Sequence, residues 1–435
     1  MRAFRPRTVI GRAASARIQR PHPLPTPSSP VQAASSLRQR GASHLWPSLS
    51  CASGPCRSYS IDRRPPKPPP FAFAFDIDGV LLHVAKPIPG ATQALQYLQK
   101  HNIPFILLTN GGGKHETERV ADLSSRLGVP LTTDNFVQSH TPFRELVHGS
   151  LGDIDIDVKG LKDKNILVTG SDASKCRRIA EQYGFRHVIT PADILAAHPD
   201  VWPFEPLMKE VYAATARPLP DSNPKIDAIF VFNDPRDWAL DIQIILDLLQ
   251  SKEGVLGTYS PKNGRADLEG HGWQADGQPP LYFSNPDLLW SAAYHLPRFG
   301  QGAFQAALAG VWHEVTGGKA PLKRTVIGKP HARTYAFAER VLNAHRAAVL
   351  GKDEKEIHPL RNVYMVGDNP ASDIRGANEY ESPLGTKWTS VLVRTGVWDP
   401  ERGGEPAYEP KAIVGDVRGA VAWALEREGW DARWM

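Results

Sequence analysis

The chain has 435 residues, enough for two domains and a terminal segment, and its 41% apolar and 22% charged residues exclude a wholly disordered protein. The net charge of +5 is local: residues 1–61 hold nine arginines and no Lys, Asp or Glu, so the remainder is mildly acidic, which argues against a nucleic-acid protein despite a pI near 9.0. Three cysteines make no disulfide framework, and no run of 18 apolar residues offers a membrane span.

Residues 1–59 are Arg-rich, Ser-rich and free of acids, the composition of a mitochondrial transit peptide, with a merely basic, disordered extension as the alternative. Arg57-Ser58-Tyr59-Ser60 is similar to a matrix-protease site cut after Tyr59, so the expected location is the mitochondrion, most simply its matrix. Cleavage would remove Cys51 and Cys56 and leave Cys176 alone. Residues 60–70 form a proline-rich linker, extended by its PPKPPP run.

A strand-then-helix pattern follows. Residues 71–75, FAFAF, are a continuous apolar run, as expected for a strand buried on both faces. The pattern predicts a helix over 91–101, a strand over 104–108 and a helix over 114–127 capped by Gly128. Strands over 165–168, 226–232 and 281–284 and a helix over 240–249 make up the middle. The late part holds strands at 325–327, 363–366 and 390–393, a helix over 333–348 and another over 417–428. Such alternation predicts an α/β fold with a mostly parallel sheet, whose ligands bind beyond the carboxyl ends of the strands.

Four signals sit where such a site belongs. Asp76-Ile77-Asp78-Gly79 places two carboxylates directly after a buried strand. One carboxylate can attack phosphorus and the other can move a proton. Thr109-Asn110-Gly111, with two more glycines, precedes a helix and offers a hydroxyl and free backbone N–H groups to a phosphate. Lys329, in Gly328-Lys329-Pro330, can offset repulsion between a carboxylate and an anionic substrate. Asp368 and Asp373, in GDNPASD after the strand at 363–366, are hard oxygen ligands suited to Mg2+. Each alone also reads as an Asp-Gly turn, a helix cap or a solvated lysine; their joint order is what carries weight.

These motifs, with NDPRDW (233–238), SNPDLLW (284–290), IGKPH (327–331) and GDNPASDIRGAN (367–378), resemble the haloacid dehalogenase (HAD) superfamily. Within it the chain resembles the NagD-like branch (subclass IIA), and within that branch the subgroup of the cat eye syndrome critical region protein. The resemblance covers residue 71 to the C-terminus. It implies a HAD-like Rossmannoid core at 71–138 and 322–435, interrupted by a large α/β type-2 cap at 139–321. It implies a Mg2+-dependent phosphomonoesterase with Asp76 as nucleophile and metal ligand, and Asp78 as general acid/base with its carbonyl on the metal. Thr109, Asn110 and Gly111 would bind the phosphoryl group, Lys329 would stabilise its charge, and Asp368 and Asp373 would complete the metal site. A small phosphorylated metabolite is the expected substrate, with a role in glycerophospholipid metabolism as a variant and a non-catalytic scaffold as the alternative. Type-2 caps in related proteins mediate dimers, so a homodimer is a further expectation. The segment around His271 and Trp273 reads as a mobile loop without an assigned role.

Overall fold

The computed structural model describes residues 68–149 and 160–430. The expected transit peptide and all but the last three residues of the linker lie outside the described residues.

Phe71–Phe75 is the pivot of the first sheet. All five residues are buried, as a strand is only where helices cover both faces. Its alternation sorts large from small. Phe71, Phe73 and Phe75 share a core with helices Ala91–Lys100, Glu116–Leu127 and Val417–Arg427. Ala72 and Ala74 lie on the other face, in the core that contains Tyr335, Phe337, Ala338 and Leu342 of helix Ala332–Leu350. The small residues leave room for that helix and its aromatic rings.

The sheet has six strands, in the order Ala412–Val414, Lys387–Val393, Asn362–Gly367, Phe71–Phe75, Phe105–Leu108 and Phe136–Val137, all pairs parallel. The chain leaves Phe71–Phe75 in one direction and returns much later on its other side. That reversal opens a crevice at the carboxyl ends of Phe71–Phe75 and Asn362–Gly367.

A second sheet has five parallel strands, Thr325–Val326, Leu281–Phe283, Ala228–Val231, Asn165–Thr169 and His187–Ile189. It has its own cores, built with helices Ala173–Tyr183, Trp238–Gln250 and Gln301–Thr316. Its strands lie in sequence between Phe136–Val137 and Asn362–Gly367 of the first sheet, and they include one that the sequence reading places elsewhere. The strand at 325–327 was expected in the second part of the core, after a boundary at 321. Thr325 and Val326 instead pair with Tyr282 and Phe283, and Ile327 N donates to Phe283 O at 2.8 Å. The chain therefore leaves the second sheet only at Gly328, immediately before Lys329. Two paired residues carry no pattern that says which sheet they join.

The edge strands Phe136–Val137, His187–Ile189 and Ala412–Val414, and the helices Ala173–Tyr183 and Gln301–Thr316, fall outside the elements predicted from sequence. The segment at 271–273 is not a free loop: Trp273 is buried and its ring lies 5.8 Å from that of Trp312.

Candidate active site

The crevice collects the predicted residues from distant parts of the chain. Asp76 follows Phe71–Phe75, and its N–H is held by Val366 O of the neighbouring strand at 2.9 Å. Lys329, only 1% exposed, donates to Asp76 Oδ1 at 2.8 Å and to Asp373 Oδ1 at 2.6 Å. Asp373 Oδ2 accepts from the N–H groups of Asp368 and Asn369, at 3.1 and 3.0 Å. Asp368 Oδ2 accepts from Val397 N at 2.6 Å. A buried ammonium therefore ties the first acid motif to the last.

The charges follow from this packing. Burial pushes Asp373 up to about 6, with the Lys329 ammonium opposing. Burial, then Asp76 and Asp373, raise Asp368 well above the carboxylate range. Burial works against the Lys329 ammonium, but Asp373 and Asp76 outweigh it and hold the group above the ordinary lysine range.

Asp78 lies at the cavity wall, its side chain 33% exposed and 3.9 Å from Arg119 Nη2. Burial pushes it up to about 6, with Arg119 opposing and Asp76 adding to the rise. Gly79 follows at φ 90°, a left-handed turn against Asp368 that a side chain would block.

Thr109, Asn110 and Gly111 line the same cavity. Thr109 Oγ1 accepts from Gly111 N at 3.0 Å. Asn110 does something the sequence did not reveal. Its Oδ1 accepts from Lys329 N at 2.8 Å, and its Nδ2 donates to Lys329 O at 2.9 Å and to Asp287 Oδ2 at 3.0 Å. The side chain is thus spent on fixing the Lys329 loop, and only its backbone remains to face a phosphate. Asp287, from SNPDLLW, was not singled out by sequence. It lines the cavity, and burial pushes it up to about 7, with its bond from Asn110 opposing.

A second buried network spans core and insertion. Gly113 N donates to His140 Nε2 at 3.4 Å, so the ring proton lies on Nδ1, 2.7 Å from Tyr183 Oη. Tyr183 donates to Glu116 Oε1 at 2.5 Å, and Thr141 Oγ1 donates to the same oxygen at 2.6 Å. Burial pushes His140 down to about 4, which keeps it neutral in this chain of bonds. Glu116 and Tyr183 belong to helices of different domains, so sequence offered no sign of the link.

Oxygens of Asp76, Asp368 and Asp373 lie within 4.8 Å of one another, all buried. Their chemistry fits a divalent cation: hard oxygen donors, and three buried acids facing one lysine, so a negative charge stays unbalanced.

Comparison with known proteins places the chain in a family. The haloacid dehalogenase-like hydrolase family model matches residues 73–186, and a HAD-hydrolase-like model matches 326–420. The mitochondrial hydrolase YKR070W of Saccharomyces cerevisiae is 40% identical over 371 residues, covering 82% of this chain and 96% of that protein. A cardiolipin synthase (CMP-forming)/mitochondrial hydrolase fusion protein of Schizosaccharomyces pombe is 42% identical over 358 residues. The match spans 82% of this chain but only 53% of that protein's length. The structure of 4-nitrophenylphosphatase from Thermotoga maritima shares the fold, with TM-score 0.50 and 17% identity over 81% of this chain and 96% of that one.

Proposed function

The chain belongs to the haloacid dehalogenase-like hydrolases, and on that premise we propose that it is a phosphomonoesterase working through Asp76. The observation that carries the reading is the Lys329 ammonium held between Asp76 and Asp373 at the end of the nucleophile strand.

In this reading, the Asp76 carboxylate oxygen attacks the phosphorus, and the ester oxygen leaves with a proton from Asp78. The product is an acyl phosphate on Asp76. Asp78, now a base, takes a proton from water as that water attacks the phosphorus and restores Asp76. A carboxyl pushed up to about 6 suits both halves, since it can give and retrieve a proton near neutral pH. Lys329 aims Asp76 and offsets the phosphate charge. Thr109 Oγ1 and the N–H groups from 110 onward receive the phosphoryl oxygens. Asp76, Asp368 and Asp373, with the Asp78 carbonyl, would hold Mg2+, which would supply charge neutralisation for the phosphoryl group.

The finer placement in the NagD-like branch is supported by the five-stranded insertion between Thr109 and Lys329, which fits a type-2 cap. The cat eye syndrome critical region subgroup is the still finer placement. A mitochondrial location is supported by the acid-free, arginine-rich residues 1–61 and by the names of the two yeast relatives. The relative fused to a cardiolipin synthase favours a second reading of the substrate, a glycerophospholipid head group.

The test is phosphate release from a panel of phosphomonoesters with Mg2+. The wild-type protein should turn over at least one ester, while Asp76→Asn and chelated wild type should fall at least ~10³-fold. An Asp76→Asn protein as active as wild type would sink the reading, and a folded wild type inert on the whole panel would favour the scaffold alternative.

A further inference from the structure

The cavity over Asp76 encloses about 500 Å³, room for a sizeable leaving group. The two ends of its lining differ in charge and in partners. On the core side, Lys114 faces Glu118 and Asp122, and Arg119 faces Asp122 and Asp78. On the insertion side stand Lys175, Arg178 and Arg236. Lys175 has a half-exposed ion pair with Asp172 at 3.6 Å. Arg178 and Arg236 make no hydrogen bond or ion pair among the described residues.

The backbone segments that carry these cations are fixed relative to one another. Lys175 and Arg178 are three residues apart on helix Ala173–Tyr183 and so share a face. Arg236 follows strand Ala228–Val231, three residues beyond Asn233. Ser171 N donates to Asn233 Oδ1, and Asn233 Nδ2 donates to Ser171 Oγ, both at 2.9 Å, which locks the two segments together. Asn233 also abuts the phosphate-binding loop: a Cβ on Gly113 would fall 2.6 Å from its Nδ2. The segments that carry the basic residues are therefore anchored beside the place proposed for the phosphoryl group.

One atom on this wall lacks a hydrogen-bond partner, although its carboxyl group feels the Arg236 guanidinium and a bond from the Gln301 backbone. Asp234 Oδ1 is buried without a hydrogen-bond partner, and Asp234 lines the cavity two residues from Arg236. Guanidinium groups without a hydrogen bond among the described residues, beside an acceptor oxygen that also has none, are what a bound molecule would complete, because a buried acceptor left alone is costly. Leu289 and Trp290 line the same cavity and offer apolar contact to the body of that molecule.

We propose that Arg178 and Arg236, assisted by Lys175, form an anion subsite, so that the substrate is a phosphomonoester whose leaving group carries a second anionic group. Asp234 Oδ1 accepts from a hydroxyl of the same leaving group. The proposal rests on the phosphomonoesterase reading above. A carboxylate and a phosphodiester present the same chemistry to guanidinium groups, and the experiment separates them.

The full-length protein with Mg2+ is assayed on 4-nitrophenyl phosphate, glycerol 3-phosphate, 3-phosphoglycerate (a carboxylate tail) and glycerophosphoglycerol phosphate (a phosphodiester tail). Wild type should prefer an anionic-tail ester over glycerol 3-phosphate in kcat/KM. In Arg178→Gln and Arg236→Gln, the ratio of anionic-tail to neutral-tail kcat/KM should fall about tenfold each, mostly through KM, as expected for loss of one charged contact. Both side chains are exposed, so the variants should fold. The tail whose ratio falls further identifies the source of the anion. Ratios unchanged in both variants, in a protein that hydrolyses 4-nitrophenyl phosphate, would overturn the subsite and leave the phosphatase reading intact. A protein that hydrolyses none of the four esters would overturn both.

Discussion

Two parallel sheets meet at one cavity, and their carboxyl ends are furnished differently. The first sheet ends in Asp76, Asp78, Thr109, Asn110 and Asp368. The second ends in the neutral Ser171, Asn233 and Asn285, with Asp234 and Asp287 just beyond and basic residues set further out. Both use the same architecture and the same end of the strands. The first draws three buried carboxylates around a buried ammonium, whereas the second brings Asp234 and Asp287 to the cavity with no lysine bonded to either among the described residues. The difference separates two tasks: one sheet concentrates charge for bond-making, and the other presents adaptable polar groups to whatever is bound.

The sharpest way to break this contrast is to remove the ammonium. Lys329→Met should lower kcat by about 10²–10³-fold, because Asp76 loses its positioning and the phosphate charge its counterion. It should also destabilise the protein by about 3–5 kcal/mol, since two buried acids lose their partner; urea denaturation would measure this. Unchanged stability would mean that the acids find another counterion.

Asp78→Asn tests the proton half. It should cost about 10²–10⁴-fold on alkyl esters, and much less on 4-nitrophenyl phosphate, whose leaving group needs little protonation. The pH profile has a definite sign. The acid form is present below its raised value of about 6, so wild-type kcat for alkyl esters, where the first step limits, should decline as pH rises through that value. A profile identical in Asp78→Asn would remove this assignment.

Smaller effects probe the contact between the sheets. Tyr183→Phe deletes the hydroxyl between His140 and Glu116, and should cost about 1–3 kcal/mol of stability with less than a tenfold change in kcat. A loss comparable to Lys329→Met would show that this network belongs to the chemistry.

The smallest effect lies inside the second domain. Asp241, on helix Trp238–Gln250, is pushed up to about 8 by burial, above the ordinary value of about 3.9 for an unfolded chain. Its folded form holds the proton more tightly, so its contribution is complete below pH 4 and is lost as pH rises to 8. Asp241→Asn should therefore raise Tm at pH 8, on the order of 5 °C, and change it little at pH 4. An equal shift at both pH values would contradict the assignment.

Much of the first sheet was legible in the sequence because its motifs follow long apolar strands. FAFAF has one composition for each face, and the acids come directly after it. Lys329 was legible as a residue type but not as a bridge, since its partners lie 253 and 44 residues away in sequence. The sequence offers the backbone of Asn110 to a phosphate but cannot show that both ends of its side-chain amide are taken by the Lys329 loop. Asp287 was hidden in a motif with a second use as an ordinary turn: its own N–H caps onto Asn285 Oδ1 at 2.8 Å. Strands of two or three residues, such as Phe136–Val137 and Thr325–Val326, are too short to show alternation and exist because a neighbour supplies the hydrogen bonds.

The placement of Phe71–Phe75 has a consequence for the order in which the molecule can form. The second sheet is written in a contiguous stretch, from Asn165 to Val326, and can close on itself as soon as that stretch is available. The first cannot. Phe71 pairs with Asn362, so its oldest strand waits, one edge bare and its alanine face without helix Ala332–Leu350, until nearly the last sixth of the chain arrives. Closing so long a loop is slow, and an uncovered apolar strand edge is an aggregation hazard. A chain made or delivered from its N-terminus would therefore hold a finished insertion beside an unfinished catalytic half, and its refolding yield should depend on chaperones that shield that one strand.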